Sequence, residues 1–418
     1  MKNVGKRSIL YIVNFYGSPP LNYFEKYLNE NKSTYLTIIK LPAVRPSKNR
    51  INIDAFIKDE KGNKHNIDLN LFFPLPNFLV FMVQYVLNFF ILFILLSKIK
   101  RKKFNIIIGE TNFGGANAYI LKKIGRCDFS IYFNGDILPD TQSSNKCFFL
   151  PNNESFFSPF FKFIDSMLIM TQYLLRKMGY GNDLIWFGDK KIEEWDSKKG
   201  LEAHNKIIFH GILIDYKEYE KYNSVKKNMN DICYLGRIDD YVGFDILIPS
   251  LALIKKILPG IRMHVIGGSV VGIEKYRNLA KQNNVEDNIK FYGYVPKMED
   301  AYNIMSHCAL GLALYKPVKD NVSMYTNPGK PKEYIKVGLP VLLTKGGPEI
   351  GQEIAKYNAG VEVDFDKEKV TDAIIKIISD NNIYVKLQSG VKRYALKEDI
   401  NIHFKEFFKN LEKLLIKH

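Results

Sequence analysis

The chain has 418 residues, 46% hydrophobic and 25% charged, with a net charge of +16. At about 150 residues per domain, that length predicts two or three domains with cores of their own. The composition excludes a disordered chain, and neither an internal repeat nor a low-complexity tract is present.

The excess of Lys and Arg either draws phosphate, in a nucleotide, a nucleic acid or an anionic lipid, or reflects lysines scattered over solvated faces. No nucleic-acid-binding motif accompanies it, so no nucleic acid is expected as partner. Cys127, Cys147, Cys233 and Cys308 lack Cys-x-x-Cys spacing, which argues against a zinc site and suits a reducing cytoplasm. The basic start is followed by an apolar run too short for a secretion signal, and the run reads as a first strand.

Taken in order, residues 9–14 form a strand that ends in a loop at Gly17, Pro19 and Pro20. Runs at 35–39, 105–109, 129–133 and 167–171 predict further strands. Residues 116–123 and 172–178 predict helices between them. In the second half, strands fall at 232–235, 263–266, 289–292, 309–314 and 341–344. Helices fall near 244–257, 273–282, 298–306, 332–337, 349–356 and 371–379. Strands alternating with helices predict an α/β fold class with parallel sheets, arranged as two doubly wound Rossmann-like domains. The polar stretch 216–230 reads as a linker between domains over 1–215 and 231–399. Phe404, Phe407, Phe408, Leu411 and Leu414 form one helical stripe, so 400–418 reads as a closing helix.

Residues 78–96 hold 19 residues without a charge, followed by Lys98, Lys100, Arg101, Lys102 and Lys103. The length permits a membrane span, a buried core helix or a helix lying in the bilayer surface. Spanning conflicts with strands of one sheet on both sides. Asn77, Gln84 and Asn88 form a narrow polar stripe, and the basic tail suits anionic headgroups, so the surface-lying helix is the preferred reading. Phe156, Phe157, Phe160, Phe161 and Phe163 either extend that apolar patch or pack in a core.

Breaking a bond to a diphosphate leaves charge on the leaving group, which a metal-free site must meet with cations and aimed backbone N–H groups. The second half offers such parts at strand ends. Gly236-Arg237 follows one strand, and Arg237 carries a fork suited to phosphate. Gly267, Gly268 and Ser269 follow the next. Asn327-Pro328-Gly329-Lys330-Pro331-Lys332-Glu333-Tyr334 then opens a helix, ahead of Gly338-Leu339-Pro340-Val341. Lys330 and Glu333 are three apart and can share a face, one for phosphate and one for ribose. A plain surface salt bridge is the alternative for that pair.

As an ordered set over 231–379, these pieces resemble the nucleotide-sugar-binding half of the GT-B glycosyltransferases, above all the retaining family 4. The resemblance rests on Gly236-Arg237, on Lys330 to Tyr334 and on Gly338 to Val341. Residues 244–247, 264–268 and 289–295 add to it. It implies two facing Rossmann-like domains, the last helix crossing back to the first. It implies Arg237, Lys330, Glu333, Gly268, Gly329 and Tyr334 as donor-binding residues. Gly17 and Ser18 would form an acceptor or diphosphate loop. Asp136, after a strand, becomes a catalytic candidate beside Glu110, although capping a turn is the alternative for Asp136. His210 reads as structural. Two positions depart from the family: Val242 replaces its second phosphate-binding Lys, and Tyr325 replaces the first Glu of its Glu-x7-Glu pattern.

The implied activity is transfer of a sugar from a nucleoside-diphosphate sugar to a membrane-proximal glycan or lipid-linked acceptor, in cell-surface polysaccharide or glycolipid biosynthesis. Retention is expected over inversion, with no cofactor and no metal, at the inner face of the cell membrane. Asp364-Phe365-Asp366 reads as a cap or turn rather than a metal site. A UDP-sugar 2-epimerase of the same fold and a non-catalytic partner subunit remain alternatives. Gly-x-Gly-x-x-Gly is missing after the first strand, which argues against a dinucleotide-dependent dehydrogenase.

Overall fold

The computed structural model describes residues 7–14, 19–31, 34–42, 50–72, 77–135, 158–208, 213–318, 321–324 and 328–417. The chain divides into two compact units, Met1–His210 with Phe407–His418, and Gly211–Glu406.

The first unit runs β1 (Arg7–Val13), α1 (Pro19–Asn31), β2 (Thr34–Lys40), β3 (Arg50–Lys58), β4 (Lys64–Phe72), α2 (Asn77–Ser97), β5 (Phe104–Glu110), α3 (Thr111–Lys123), β6 (Cys127–Asn134), α4 (Ser158–Gly179), β7 (Leu184–Phe187), α5 (Lys190–Lys198) and β8 (Lys206–Ile208). One sheet results, in the order β4-β3-β2-β1-β5-β6-β7-β8. From β2 to β8 neighbours run parallel, and the central strands are near-continuous buried apolar runs, as coverage on both faces requires. The β3–β4 hairpin adds an antiparallel edge that the expected parallel sheet lacked. Strand order reverses between β1 and β5, so the loops after these strands share one carboxyl edge.

Two expectations change here. Residues 167–171 are not a strand but the middle of α4. Leu168, Ile169 and Arg176 are buried while Met167, Met170 and Leu174 are exposed, which is a helical period that a five-residue window hides. The second change concerns α2. Its polar positions Gln84 and Asn88 face inward, and Asn88 Nδ2 donates to Pro42 O at 2.9 Å. Ile91, Leu92, Leu95 and Leu96 join the core, while Val86, Phe90 and Ile94 are exposed. The helix thus buries its amides with one apolar face and turns a second apolar face outward.

The second unit runs α6 (Tyr216–Asn223), β9 (Asp231–Leu235), α7 (Phe244–Ile257), β10 (Arg262–Ile266), α8 (Val270–Gln282), β11 (Ile289–Gly293), α9 (Met298–Ser306), β12 (Leu310–Ala313), α10 (Gly329–Lys336), β13 (Val341–Thr344), α11 (Glu349–Lys356), β14 (Gly360–Val363), α12 (Lys367–Ser379) and α13 (Asn381–Lys397). Its six strands are parallel, in the order β11-β10-β9-β12-β13-β14. The stretch expected as a linker instead carries α6. Asp215 caps it by accepting from Lys217 N at 3.1 Å, and Tyr219 and Tyr222 are buried in the core of this unit. The last helix, α14 (Ile400–Lys417), begins in the second unit and ends in the first. There Phe407 lies 4.5 Å from the Trp186 ring, centre to centre, and Phe408 stacks on Phe24 at 5.7 Å.

Candidate functional site

The carboxyl edge of the second sheet is built on glycine turns. Gly236 N donates to Ile266 O at 2.8 Å and Gly267 N donates to Gly293 O at 2.7 Å, so the turns after β9, β10 and β11 are stitched together. Gly267 has a φ of 110°, and a Cβ there would lie 2.4 Å from Gly236 O. Only glycine fits such a contact in that conformation. Gly268 is equally closed, since its Cβ would lie 2.4 Å from Ile238 Cδ1. Ser269 then caps α8, its Oγ accepting from Gly272 N at 3.1 Å.

Two cations stand at this edge in different states. Arg237 is 89% exposed, with Asp239 as an ion-pair partner at 3.4 Å. Lys330, the second residue of α10, turns inward. Its Nζ donates to Tyr234 Oη at 2.8 Å and lies 4.7 Å and 5.1 Å from the ring centres of Tyr234 and Tyr315. Burial pushes its ammonium down to about 8, with Asp239 opposing the fall and Arg237 adding to it. Among the described residues no carboxylate lies within ion-pair distance of Lys330. A largely desolvated cation without a counterion is poised for an anion. Pro328 precedes α10, and no side chain caps the first turn. Among the described residues nothing lies within 4 Å of a Cβ built on Gly329, at the positive end of the helix.

Glu333, one turn further on, is engaged elsewhere. It accepts from Tyr302 Oη at 2.5 Å and pairs with Lys336 Nζ at 3.1 Å, and Lys336 also reaches Tyr302 Oη at 2.9 Å. Burial, with Glu333 beside it, raises the Tyr302 hydroxyl above its ordinary value. The shared face expected for Lys330 and Glu333 is therefore not used: Lys330 reaches β9 and Glu333 reaches α9. Tyr334 is a correction. It is fully buried, accepts from Leu235 N at 2.8 Å and donates to Leu312 O at 2.9 Å. It pins β9 to β12 from within the core and offers nothing to a ligand. Sequence reasoning missed Tyr234, Tyr315 and Tyr302; the tyrosine two places before Gly236 was the available signal.

Val242 is buried in the core before α7, where a lysine would have reached the edge in the family pattern. Asp366 caps α12 by accepting from Lys369 N at 2.9 Å, as expected for a cap. Among the described residues no cluster of three or more His, Cys, Asp or Glu could hold a metal ion.

In the first unit Glu110 closes β5. It is buried and accepts from Tyr11 Oη at 3.1 Å. Burial first, then Glu110, holds the Tyr11 hydroxyl well above its ordinary value. Thr111 follows with a φ of 68°, strained for a β-branched residue, and its Oγ1 donates to Asn14 Oδ1 at 3.0 Å. These four residues, Tyr11, Asn14, Glu110 and Thr111, lie on or just after β1 and β5, where the strand order reverses. Gly17, Ser18, Asp136, His210 and Tyr325 lie outside the described residues.

Two doubly wound units, the second with glycine turns along its carboxyl edge, define a GT-B fold. Residues 215–397 match the family glycosyl transferases group 1. Solved structures with the same fold include Anabaena HepE in complex with UDP, at 14% identity and a TM-score of 0.56, over 96% of this chain and 100% of that one. WaaG, a glycosyltransferase involved in lipopolysaccharide biosynthesis, shows 15% identity and a TM-score of 0.55, over 94% of this chain and 96% of its own. An E. coli structure described as trehalose-6-phosphate bound with UDP-2-fluoro glucose shows 13% identity and a TM-score of 0.60, over 98% and 99%. No curated protein sequence gives a significant match. The family match falls within the second unit.

Proposed function

We propose that the chain moves a sugar from a nucleoside-diphosphate sugar, of the UDP class, to a glycan or lipid-linked acceptor at a membrane surface. Cell-surface polysaccharide or glycolipid assembly is the proposed setting. The observation that carries the donor half is Lys330, a largely buried ammonium without a carboxylate, beside an uncapped helix start and the exposed fork of Arg237. UDP in the HepE structure supports that class of nucleotide.

As the glycosidic bond breaks, charge gathers on the leaving diphosphate. Lys330, Arg237 and the N–H groups of Gly329 and Lys330 meet it there, without a metal. Glu333 takes the ribose hydroxyls, with Tyr302 and Lys336 fixing its carboxylate. On the family resemblance, Glu110 and Asp136 are the proposed catalytic residues, and Gly17 and Ser18 the proposed acceptor or diphosphate loop. Retention is the proposed outcome, on the family resemblance.

The membrane half rests on two outward apolar stripes, Val86, Phe90 and Ile94 on α2 and Phe163, Met167, Met170 and Leu174 on α4. Basic residues follow α2 directly. Among the described residues no helix is long and apolar enough to cross a membrane, so the proposal is attachment at the surface of the inner leaflet. A panel of UDP-sugars incubated with the protein and a lipid-linked acceptor fraction tests the reading. Sugar appearing in the lipid fraction supports it. Release of a new sugar epimer without acceptor would replace it with epimerisation.

A further inference from the structure

We propose that Tyr234 is a positioning residue of the donor site: its hydroxyl ties the Lys330 ammonium to the main chain of the Gly236-Arg237 turn, so that both cations meet a nucleoside diphosphate as one unit. The proposal rests on the donor reading above and adds a residue that touches no substrate.

The chain of bonds has a direction. Tyr234 Oη donates to Arg237 O, which commits its only proton. Its lone pairs are then left for Lys330 Nζ, the donor at 2.8 Å. Tyr234 is fully buried and its ring stands edge-on to Phe244 at 4.7 Å, so the hydroxyl is held by the core rather than by solvent. A neutral acceptor is the useful choice at this point. A carboxylate would satisfy Lys330 and cancel its charge, whereas a hydroxyl orients the ammonium and leaves that charge for a phosphate. The same hydroxyl holds the carbonyl of Arg237, and so the turn from which the guanidinium projects.

The groups facing Lys330 are Tyr234 on β9, Tyr315 after β12, and Arg237 and Asp239 after β9. Asp239, the one anion among them, is paired with Arg237. With its ammonium pushed down to about 8 by burial, Lys330 is charged below that pH and neutral above it. Losing the Tyr234 oxygen removes a dipole that favours the charged form and carries the titration lower.

The test is calorimetric titration with UDP between about pH 6.5 and 9.5, across the window set by the shifted lysine. The wild type is expected to bind evenly at low pH and to weaken through an alkaline limb near 8. Tyr234→Phe is expected to move that limb down by about 0.5–1 pH unit and to weaken binding about 3- to 10-fold at pH 8. Lys330→Arg, charged throughout, is expected to lose the limb. A Tyr234→Phe profile identical to the wild type overturns the proposal, as does a limb that persists in Lys330→Arg. Should Tyr234→Phe fail to fold, Tyr234→Met, which also lacks the hydroxyl, is profiled in its place and read by the same outcomes. A wild type that does not bind UDP overturns the donor reading and this proposal with it. UDP binding that Tyr234→Phe leaves unmoved overturns only the role of Tyr234.

Discussion

The two units each bury a long basic side chain, and they do so in opposite ways. In the first unit Arg176 is fully buried, and its guanidinium meets Asp196 Oδ1 at 2.7 Å and Asn112 Oδ1 at 3.0 Å. Tyr180 Oη and Asn134 Nδ2 each donate to Asp196 Oδ2 at 2.7 Å. Burial alone would lower the Arg176 guanidinium, yet Tyr132 and Asp196 hold it above its ordinary value. In the second unit Lys330 has a hydroxyl and two aromatic rings but, among the described residues, no carboxylate within ion-pair distance, and burial pushes its ammonium down to about 8. The difference separates a charge used to hold a fold from a charge kept for a ligand. A satisfied buried pair resists change. A buried cation without an anion costs stability until an anion arrives.

Breaking the satisfied pair has the largest expected effect. Arg176→Met leaves Asp196 buried without its cation and is expected to destabilise by about 3–5 kcal/mol, read from the denaturant midpoint at unchanged slope. Replacing Asp196 by Leu in the same chain is expected to recover most of that. A loss under about 1 kcal/mol would remove the contrast. Lys330→Met should act with the opposite sign on the fold. The fall from 10.5 to about 8 represents about 3 kcal/mol of unfavourable burial at neutral pH. The unfolded chain binds the extra proton between those values, so wild-type stability rises as pH climbs through that window. The variant is expected to melt higher at pH 7, to lack this rise, and to bind UDP about 10- to 100-fold more weakly.

Gly267→Ala tests the stitched edge itself. With a φ of 110° and a contact of 2.4 Å waiting for a methyl group, the expected cost is about 1–3 kcal/mol. Glu333→Ala is expected to weaken binding of a UDP-sugar about 10-fold and, because it strands the buried Lys336, to cost about 1–3 kcal/mol of stability. The smallest effect on stability, within about 0.5 kcal/mol, is expected from serines at Val86, Phe90 and Ile94 together. That variant should lose sedimentation with anionic liposomes, and retained sedimentation would detach the acceptor reading from α2.

Much of the second unit was legible because several strands end in glycine turns and several helices open on polar caps. Gly236, Gly267 and Gly338 punctuate the text where the chain turns, and Ser269 and Asp366 mark helix starts. Side-chain direction was not legible. Lys330 and Glu333 stand three apart, yet one packs on β9 and the other on α9, which depends on tyrosines from distant strands and helices. The first unit hid more. Residues 50–55 alternate polar and apolar in the period of a strand, but the alternation breaks at Ala55-Phe56-Ile57. The α2 segment showed its composition but not its orientation, because the Asn88 amide turns inward and donates to the carbonyl of Pro42. The catalytic side is thinner, since Asp136, Gly17 and Ser18 fall outside the described residues.

The most direct test of the central claim is calorimetric titration of the wild type and Lys330→Met with UDP at pH 7. A nucleotide site built on Lys330 predicts saturable one-to-one binding to the wild type and at least about tenfold weaker binding to the variant, which remains folded. Equal affinity in the two proteins, or no binding to the wild type, would contradict it.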